Sequence, residues 1–262
     1  MPEDKAAEAV LVFFIALVLG SFATALSWRA ARDISWVSGR SRCPSCGTKL
    51  GVSDLVPLFS WLMLHGNCRH CGKPIGVRYP LTELAVVAGC LGAFAAWGFT
   101  VPAFIIMAAV PFLVALLVVD VEQMILPDGL QAVLGGLGAL FVAAAFLSHP
   151  VFDAAELFAT HGAGLVVFPA TVWLAGRIVS ILKKKEALGF GDVKFFAVAG
   201  LWLGVLWLPC FMVISGFFGI AGGLSWQLRR EDRRFPFGPA LILAFYACLL
   251  LKGQGISPVF GL

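Results

Sequence analysis

Residues 101–119 read VPAFIIMAAVPFLVALLVV, and Asp120 follows this apolar run directly. An uninterrupted apolar stretch of this length is what a helix needs to cross the hydrocarbon core of a bilayer. The whole chain shares this character, because 60% of its 262 residues are hydrophobic and only 13% are charged. A soluble protein is about half apolar and about a quarter charged. The composition therefore predicts a membrane protein and excludes an ordinary soluble enzyme.

Apolar segments recur along the chain with polar breaks between them. They predict an all-α polytopic membrane protein with about eight transmembrane helices, at residues 8–28, 81–98, 101–119, 129–147, 157–182, 193–208, 210–227 and 237–252. The division between the sixth and seventh spans rests on Trp207, Leu208 and Pro209 as a tight turn. The residues before the first segment are not a basic region, so we interpret that segment as a retained span rather than a cleaved signal.

The basic residues are distributed unevenly among the predicted loops. Lysine and arginine are concentrated at residues 29–79, 183–185 and 229–234. With eight spans these three loops lie on one face of the membrane, and cytoplasmic loops carry such an excess. We therefore expect both termini in the periplasm. The clusters at 183–185 and 229–234 are interpreted as topology determinants near anionic lipid, and they do not indicate nucleic-acid binding.

Four of the seven cysteines form two CxxC pairs in the polar segment between the first two spans. The pairs are Cys43 with Cys46 and Cys68 with Cys71. This spacing is typical of a structural zinc site with four thiolate ligands, and four reduced thiols without a metal are the alternative. Four protein ligands leave no position for a catalytic water. A zinc ion here would instead stabilise a small cytoplasmic zinc-ribbon-like insertion.

Two aspartates lie at predicted cytoplasmic ends of spans. Asp120 closes the third span, and Asp192 opens the sixth span after Gly189, Phe190 and Gly191. An ionisable residue at the membrane is a functional candidate, although an interfacial helix cap is the simpler interpretation of each aspartate alone. Paired carboxylates in an apolar site can share one proton, activate water and protonate a leaving group. The glycines permit a close backbone approach by an extended substrate.

The four residues that end at Asp192 resemble the GxGD signature of intramembrane aspartyl proteases. Further motifs follow one another along the chain: RCPSCG at 42–47, PLFSWL at 57–62, CRHCGKPI at 68–75, RYPLTEL at 78–84, LPD at 126–128 and FPFGP at 235–239. Together these motifs resemble the bacterial type IV prepilin peptidase family over nearly the whole chain.

The resemblance implies a bifunctional enzyme of the bacterial inner membrane. Its implied substrates are type IV prepilins or type II secretion pseudopilins, which have a basic leader and an apolar N-terminal helix. The implied catalytic pair, Asp120 and Asp192, would remove the leader at the cytoplasmic face. The new N-terminus would then be methylated with S-adenosylmethionine as methyl donor. The expected supporting residues are Gly189, Gly191, Lys194 and Asp128, the last being a less favoured member of the pair.

Glu83 is a further candidate at the cytoplasmic start of the second span. Its carboxylate could receive the basic leader of a substrate, or it could form a local ion pair with Arg78. The predicted division of the chain is a first transmembrane helix at 1–28, a cytoplasmic four-cysteine domain with the implied methyltransferase part at 29–80, and a seven-helix membrane peptidase domain at 81–262.

Three other functions are compatible with parts of this pattern. A transporter or proton-coupled channel would use membrane carboxylates to relay ions, but such carboxylates lie near the midplane rather than at span ends. A membrane scaffold that recruits partners through the zinc ribbon leaves the GxGD motif unexplained. A peptidase that has lost methylation is the alternative within the enzymes.

Overall fold

The computed structural model describes residues 2–37, 39–148, 154–184, 188–229 and 235–256. Within these ranges the chain forms nine α-helices and no named strand: α1 Pro2–Ala30, α2 Phe59–Met63, α3 Arg78–Trp97, α4 Val101–Gln123, α5 Asp128–Ser148, α6 Ala154–Lys183, α7 Phe190–Leu203, α8 Leu208–Arg229 and α9 Gly238–Gly253. Four of the basic residues used to predict orientation lie outside the described residues, namely Lys185, Arg230, Arg233 and Arg234.

The prediction of an all-α polytopic membrane protein is confirmed. Within the described ranges, six helices are long and apolar enough to cross a membrane, and α9 is a shorter apolar helix. Each of the eight predicted apolar segments corresponds to a helix of its own, although the sixth also includes the turn after α7 and the first residue of α8. A helix is how an apolar run satisfies its backbone hydrogen bonds in lipid. The remaining helix, α2, is a short element of the polar segment.

Helix α4 lies at the centre of the bundle. It packs against α1, α3, α5 and α9, and its apolar residues are largely buried. The helix begins at the Thr100 N-cap, whose hydroxyl accepts a hydrogen bond from the Ala103 amide. It ends at Gln123, four residues beyond the predicted span, where Met124 adopts a left-handed conformation with φ of 56°. Asp120 therefore lies in the last turn of a buried helix.

Helices α6 and α7 make a backbone contact through two glycines. A Cβ atom on Gly164 would lie 2.2 Å from the carbonyl oxygen of Gly200, and a Cβ on Gly200 would lie 2.1 Å from that of Gly164. Small residues at such a crossing let two membrane helices approach closely enough for their backbones to pack. This contact fixes the position of α7, the helix that carries Asp192.

The predicted boundary after the sixth span is wrong by about one helical turn. Helix α7 ends at Leu203, where Gly204 has φ of 84°, and a short 3-10 turn at Val205–Trp207 leads into α8. The positive φ is easily accessible to glycine and stops the helix. Trp207 belongs to this turn as predicted, whereas Leu208 is already the first residue of α8.

The polar segment between α1 and α3 is built from two similar knuckles. In the first, the Cys43 amide donates to Thr48 O and the Gly47 amide donates to Cys43 O, both at 2.9 Å. The second repeats this pattern between Cys68 and Lys73 and between Gly72 and Cys68, again at 2.9 Å. Glycine at the positive φ of each turn, 70° and 66°, permits the tight bend.

Candidate active site

Asp120 is buried in the last turn of α4. The residue is only 5% exposed, and its Oδ2 accepts a hydrogen bond from the Gly238 amide at 2.9 Å. Gly238 is the first residue of α9, so the N-terminus of that helix points at the carboxylate. A helix N-terminus offers free amides and a positive dipole end, which together stabilise and orient an anion.

Gly238 provides space that a larger residue would remove. A Cβ at this position would lie 2.6 Å from Asp120 Oδ2 and 3.1 Å from Leu126 Cδ2. Gly238 was not predicted as a site residue, although the FPFGP motif contains it. The motif marks a helix start, but a sequence does not show which side chain that start approaches.

Asp192 lies in the first turn of α7, behind Gly189 as the N-cap. It is half-buried, unlike Asp120. Leu126 contacts both Gly191, the residue before Asp192, and Gly238, whose amide binds Asp120. The structure therefore brings together the two aspartates that the sequence predicts as a pair, 72 positions apart. One lies at the end of a helix and the other at the start of a helix.

The two glycines of the GxGD segment have different surroundings. A Cβ on Gly191 would lie 3.3 Å from Leu126 Cβ, and a Cβ on Gly189 would lie 3.3 Å from Asp192 Oδ2. Leu126 is 7% exposed and therefore packs against both Gly191 and Gly238. This leucine of the LPD turn holds the start of α7 and the start of α9 around Asp120.

Asp128 and Lys194 form an ion pair beside the two aspartates. Lys194 Nζ lies 2.7 Å from both carboxylate oxygens of Asp128, and it also lies over the Phe190 ring. The Asp128 side chain is 71% exposed. An exposed ion pair of this kind contributes about 1 kcal/mol or less to stability. Asp128 is thus engaged by a cation at the surface, and Asp120 is the buried carboxylate of the site.

Glu83 bonds to the polar segment rather than to Arg78. Its Oε2 accepts a hydrogen bond from the Leu58 amide at 2.6 Å. Arg78 instead places Nη1 3.0 Å from Glu122 and Nη2 3.0 Å from the Ser27 hydroxyl. A Cβ on Gly20 would lie 3.1 Å from the Glu83 Cα, so that glycine lets α1 pack directly against α3 at this level.

The four predicted metal ligands lie together. The sulfur atoms of Cys43, Cys46, Cys68 and Cys71 are all within 4.8 Å of one another. Tetrahedral zinc with Zn–S bonds of about 2.3 Å places its sulfurs about 3.8 Å apart, so a small contraction suffices. The hydrogen bond between the Cys46 sulfur and the Thr48 hydroxyl, at 3.3 Å, is the main reason that the pKa of Cys46 is lowered to about 6, which favours the thiolate that a metal binds. The cluster can hold a metal ion.

Two contacts that join α4 to α3 and to the residue after α1 were not predicted. Glu122 pairs with Arg78, and Gln123 Nε2 donates to Ala31 O at 2.7 Å. Glu122 and Gln123 follow Asp120 in the same last turn of α4. Their polar side chains after an apolar run are a usable signal for a helix end, but their partners depend on how α1, α3 and α4 pack.

Comparisons with known proteins identify related sequences. Residues 14–99 match the model of the bacterial peptidase A24 N-terminal domain, and residues 107–224 match the model of the type IV leader peptidase family. No solved structure matches the chain significantly.

Named relatives are similar over most of the chain. A type 4 prepilin-like proteins leader peptide-processing enzyme of Escherichia coli O78:H11 is 32% identical, over 94% of this chain and 95% of the relative. A prepilin leader peptidase/N-methyltransferase of Pectobacterium carotovorum is 34% identical, over 81% and 75% of the two chains. One of Vibrio cholerae is 29% identical, over 90% and 94%. The chain belongs to the type IV leader peptidase family.

Proposed function

We propose that this protein removes the basic leader from type IV prepilins or type II secretion pseudopilins and then methylates the new N-terminus. The main support for the peptidase activity is that Asp120, at the end of α4, and Asp192, at the start of α7, lie near each other. The family match and the names of the relatives support the same function.

Asp120 and Asp192 act as an acid–base pair in this proposal. One carboxylate takes a proton from water as the water oxygen bonds to the scissile carbonyl carbon, and the protonated partner gives its proton to the carbonyl oxygen. The carbon–nitrogen bond then breaks as the leaving nitrogen takes the proton that came from water, and a hydroxyl of the new carboxyl group returns one proton to the second aspartate. The Gly238 amide holds Asp120 Oδ2 throughout, so the pair does not have to be assembled when substrate arrives.

The substrate reaches the pair from the cytoplasmic side of the bacterial inner membrane, with both termini of the enzyme in the periplasm. The arginines and lysines of the three basic loops support this orientation. The apolar helix of a pilin lies in lipid beside the bundle while its basic leader stays near the anionic membrane surface. Both aspartates lie at helix ends on the same side as the polar segment, as this geometry requires.

The four cysteines bind a structural zinc ion in the cytoplasmic domain at 29–80. The two knuckles present their sulfurs to one point, and the first cysteine of each pair is 7% exposed. Four thiolates saturate a tetrahedral ion, so the zinc stabilises the segment and takes no part in hydrolysis. Few residues of this segment are buried, and small domains with little core typically need a metal ion or disulfides to fold.

The same cytoplasmic domain contributes the methyltransferase part. S-adenosylmethionine, when bound, supplies a methyl group whose carbon bonds to the N-terminal nitrogen as its bond to sulfur breaks, with loss of a proton from the nitrogen. The residues present fit this group, because a cavity of about 580 Å³ with carboxylate, basic and aromatic side chains lies between the domain and the membrane helices. The remaining helices from residue 81 onward form the peptidase domain.

A transporter or proton-coupled channel is not supported. Asp120 lies in the last turn of α4, and Asp192 lies in the first turn of α7. Ion-coupled transporters instead place their binding sites at broken helices near the membrane midplane. The family match covers the segment that contains both aspartates.

Co-expression with a prepilin substrate tests the peptidase. Wild-type protein is expected to shorten the substrate by its leader, and Asp120→Asn and Asp192→Asn are each expected to leave it intact. Asp128→Asn is the matched control, because it changes a carboxylate of the same region that is already paired with Lys194. Processing by both dyad variants, or loss of processing only in Asp128→Asn, would show that the assigned pair is wrong.

A further inference from the structure

A cavity lies where α1 meets the polar segment, outside the aspartate pair. It has a volume of about 580 Å³, and its lining includes Ser21 and Trp28 of α1, Trp61 of α2 and Glu83 of α3. Binding sites for small molecules are typically about 300–1,000 Å³. The cavity is thus large enough for a cofactor and is formed jointly by the membrane helices and the four-cysteine domain.

The cavity has one carboxylate that no cation neutralises. Of its two acidic lining residues, Asp54 is paired with Arg69 at 2.8 Å and also accepts from the Gly51 amide. Glu83 accepts a hydrogen bond from Leu58 N, and among the described residues no lysine or arginine forms an ion pair with it. A half-buried carboxylate without a countercharge favours a cationic ligand group.

A rigid aromatic wall faces the same space. Trp61 Nε1 donates to Ile75 O at 3.1 Å, which fixes the indole plane. Gly66 packs on the other part of this ring, since a Cβ there would lie 3.1 Å from Trp61 Cζ2. A fixed indole offers a surface on which a flat heterocycle stacks, at low entropic cost.

Basic side chains complete the lining. Arg40 and Lys73 both face the cavity, and the four-cysteine domain contributes both. The cavity therefore combines a free carboxylate, an aromatic plane and basic groups. A ligand that fits all three has a cationic centre, a flat base and a carboxylate of its own.

The elements that surround the cavity also contact α4, the helix that carries Asp120. Ala31, the residue after α1, accepts a hydrogen bond from Gln123 through its carbonyl, and Arg78 of α3 pairs with Glu122 at 3.0 Å. Both contacts hold the last turn of α4, which carries Asp120, to the helices that bound the cavity. A newly cleaved N-terminus and a molecule in the cavity thus share one side of the bundle.

We propose that this cavity binds S-adenosylmethionine, with the Glu83 carboxylate holding its sulfonium centre and the Trp61 indole holding its adenine ring. This inference rests on the proposed function and assigns a location to its methyltransferase site. Glu83 then serves the methyl donor rather than the lysines of the leader.

Equilibrium dialysis of tritiated S-adenosylmethionine against the full-length protein in detergent tests the site directly. Glu83→Gln keeps an oxygen that can accept from Leu58 N and removes only the charge. The loss of one charge-assisted contact predicts about ten- to hundredfold weaker binding. Ala25→Phe adds a ring from the α1 wall and is expected to weaken binding similarly. Glu156→Gln, an exposed carboxylate at the start of α6, is the control and is expected to bind as wild type.

Leader cleavage measured on the same samples separates the possible failures. Glu83→Gln and Ala25→Phe are both expected to cleave a prepilin, and cleavage would demonstrate that the variants are folded. Wild-type affinity in both variants, or no binding by a wild-type protein that still cleaves, overturns the cavity assignment and leaves the peptidase intact. An altered dependence of cleavage on the number of leader lysines in Glu83→Gln, with unchanged binding, assigns Glu83 to the leader instead. If wild-type protein binds but does not cleave, the peptidase proposal fails and the cavity stands.

Discussion

The amide of Gly238 donates a hydrogen bond to Asp120 Oδ2 at 2.9 Å, so the first residue of the last helix holds a carboxylate at the end of the fourth. The two residues are 118 positions apart. Leu126 fills the space between this contact and the glycine that precedes Asp192. The candidate dyad is therefore positioned by three helix ends and one buried leucine.

Replacing Gly238 with alanine is expected to reduce leader cleavage at least about tenfold. The added Cβ would lie 2.6 Å from Asp120 Oδ2, so either the carboxylate or the start of α9 must move, and small displacements of catalytic groups are costly. Gly216→Ala in α8 is the control, because nothing lies within 4 Å of its Cβ position. Initial rates of cleavage, normalised to membrane-inserted protein, give the comparison; equal rates for the two variants contradict this role of Gly238.

The Asp128–Lys194 pair is expected to support the site without taking part in the chemistry. Lys194→Met removes the charge at the start of α7 and should lower the cleavage rate only about two- to fivefold, since an exposed pair is worth about 1 kcal/mol or less. Cleavage kinetics of the variant measure this. A loss as large as that of Asp192→Asn would place Lys194 among the reacting groups.

Cys43→Ser is expected to abolish metal binding. Removing one of four sulfurs that lie within 4.8 Å of one another leaves a three-ligand site of much lower affinity. Metal analysis should find about one zinc ion per wild-type chain and far less in the variant. Cys90→Ser is the matched control, because Cys90 lies in α3 away from the cluster. Equal zinc content in Cys43→Ser and wild type contradicts a four-cysteine site.

Gly164→Ala is expected to destabilise the bundle by about 1–3 kcal/mol, because its Cβ would overlap the Gly200 carbonyl at 2.2 Å. Gly162→Ala, two residues earlier in α6, meets nothing within 4 Å and serves as the control. Thermal unfolding in detergent should show a lower Tm for the first variant and an unchanged or higher Tm for the second. Identical Tm values would show that α6 and α7 do not touch at these glycines.

The helices could be predicted from the sequence because each is specified locally. The run at residues 101–119 is apolar at every position, and lipid leaves such a run no alternative to a helix. The end of α7 could not be predicted in the same way. Gly204 ends the helix with a φ of 84°, whereas Gly200, four residues earlier, lies within the helix. Both are glycines in an apolar run, so the sequence does not distinguish them.

The candidate site could be predicted only in part, for a similar reason. Asp120, Asp192 and the four cysteines carry chemistry in their own side chains, so their type and spacing identify them. Gly238 acts through a backbone amide, and Leu126 acts through its shape. Their contributions depend on the packing of α4, α7 and α9, which no local pattern specifies.

Mass spectrometry of a purified prepilin, incubated with purified enzyme and S-adenosylmethionine, detects both leader removal and methylation in one product. Wild-type enzyme is predicted to give a product that lacks the leader and carries one added methyl group, whereas Asp120→Asn and Asp192→Asn each leave the full-length precursor. A cleaved product from either aspartate variant at the wild-type rate would contradict the assignment of Asp120 and Asp192 as the catalytic pair.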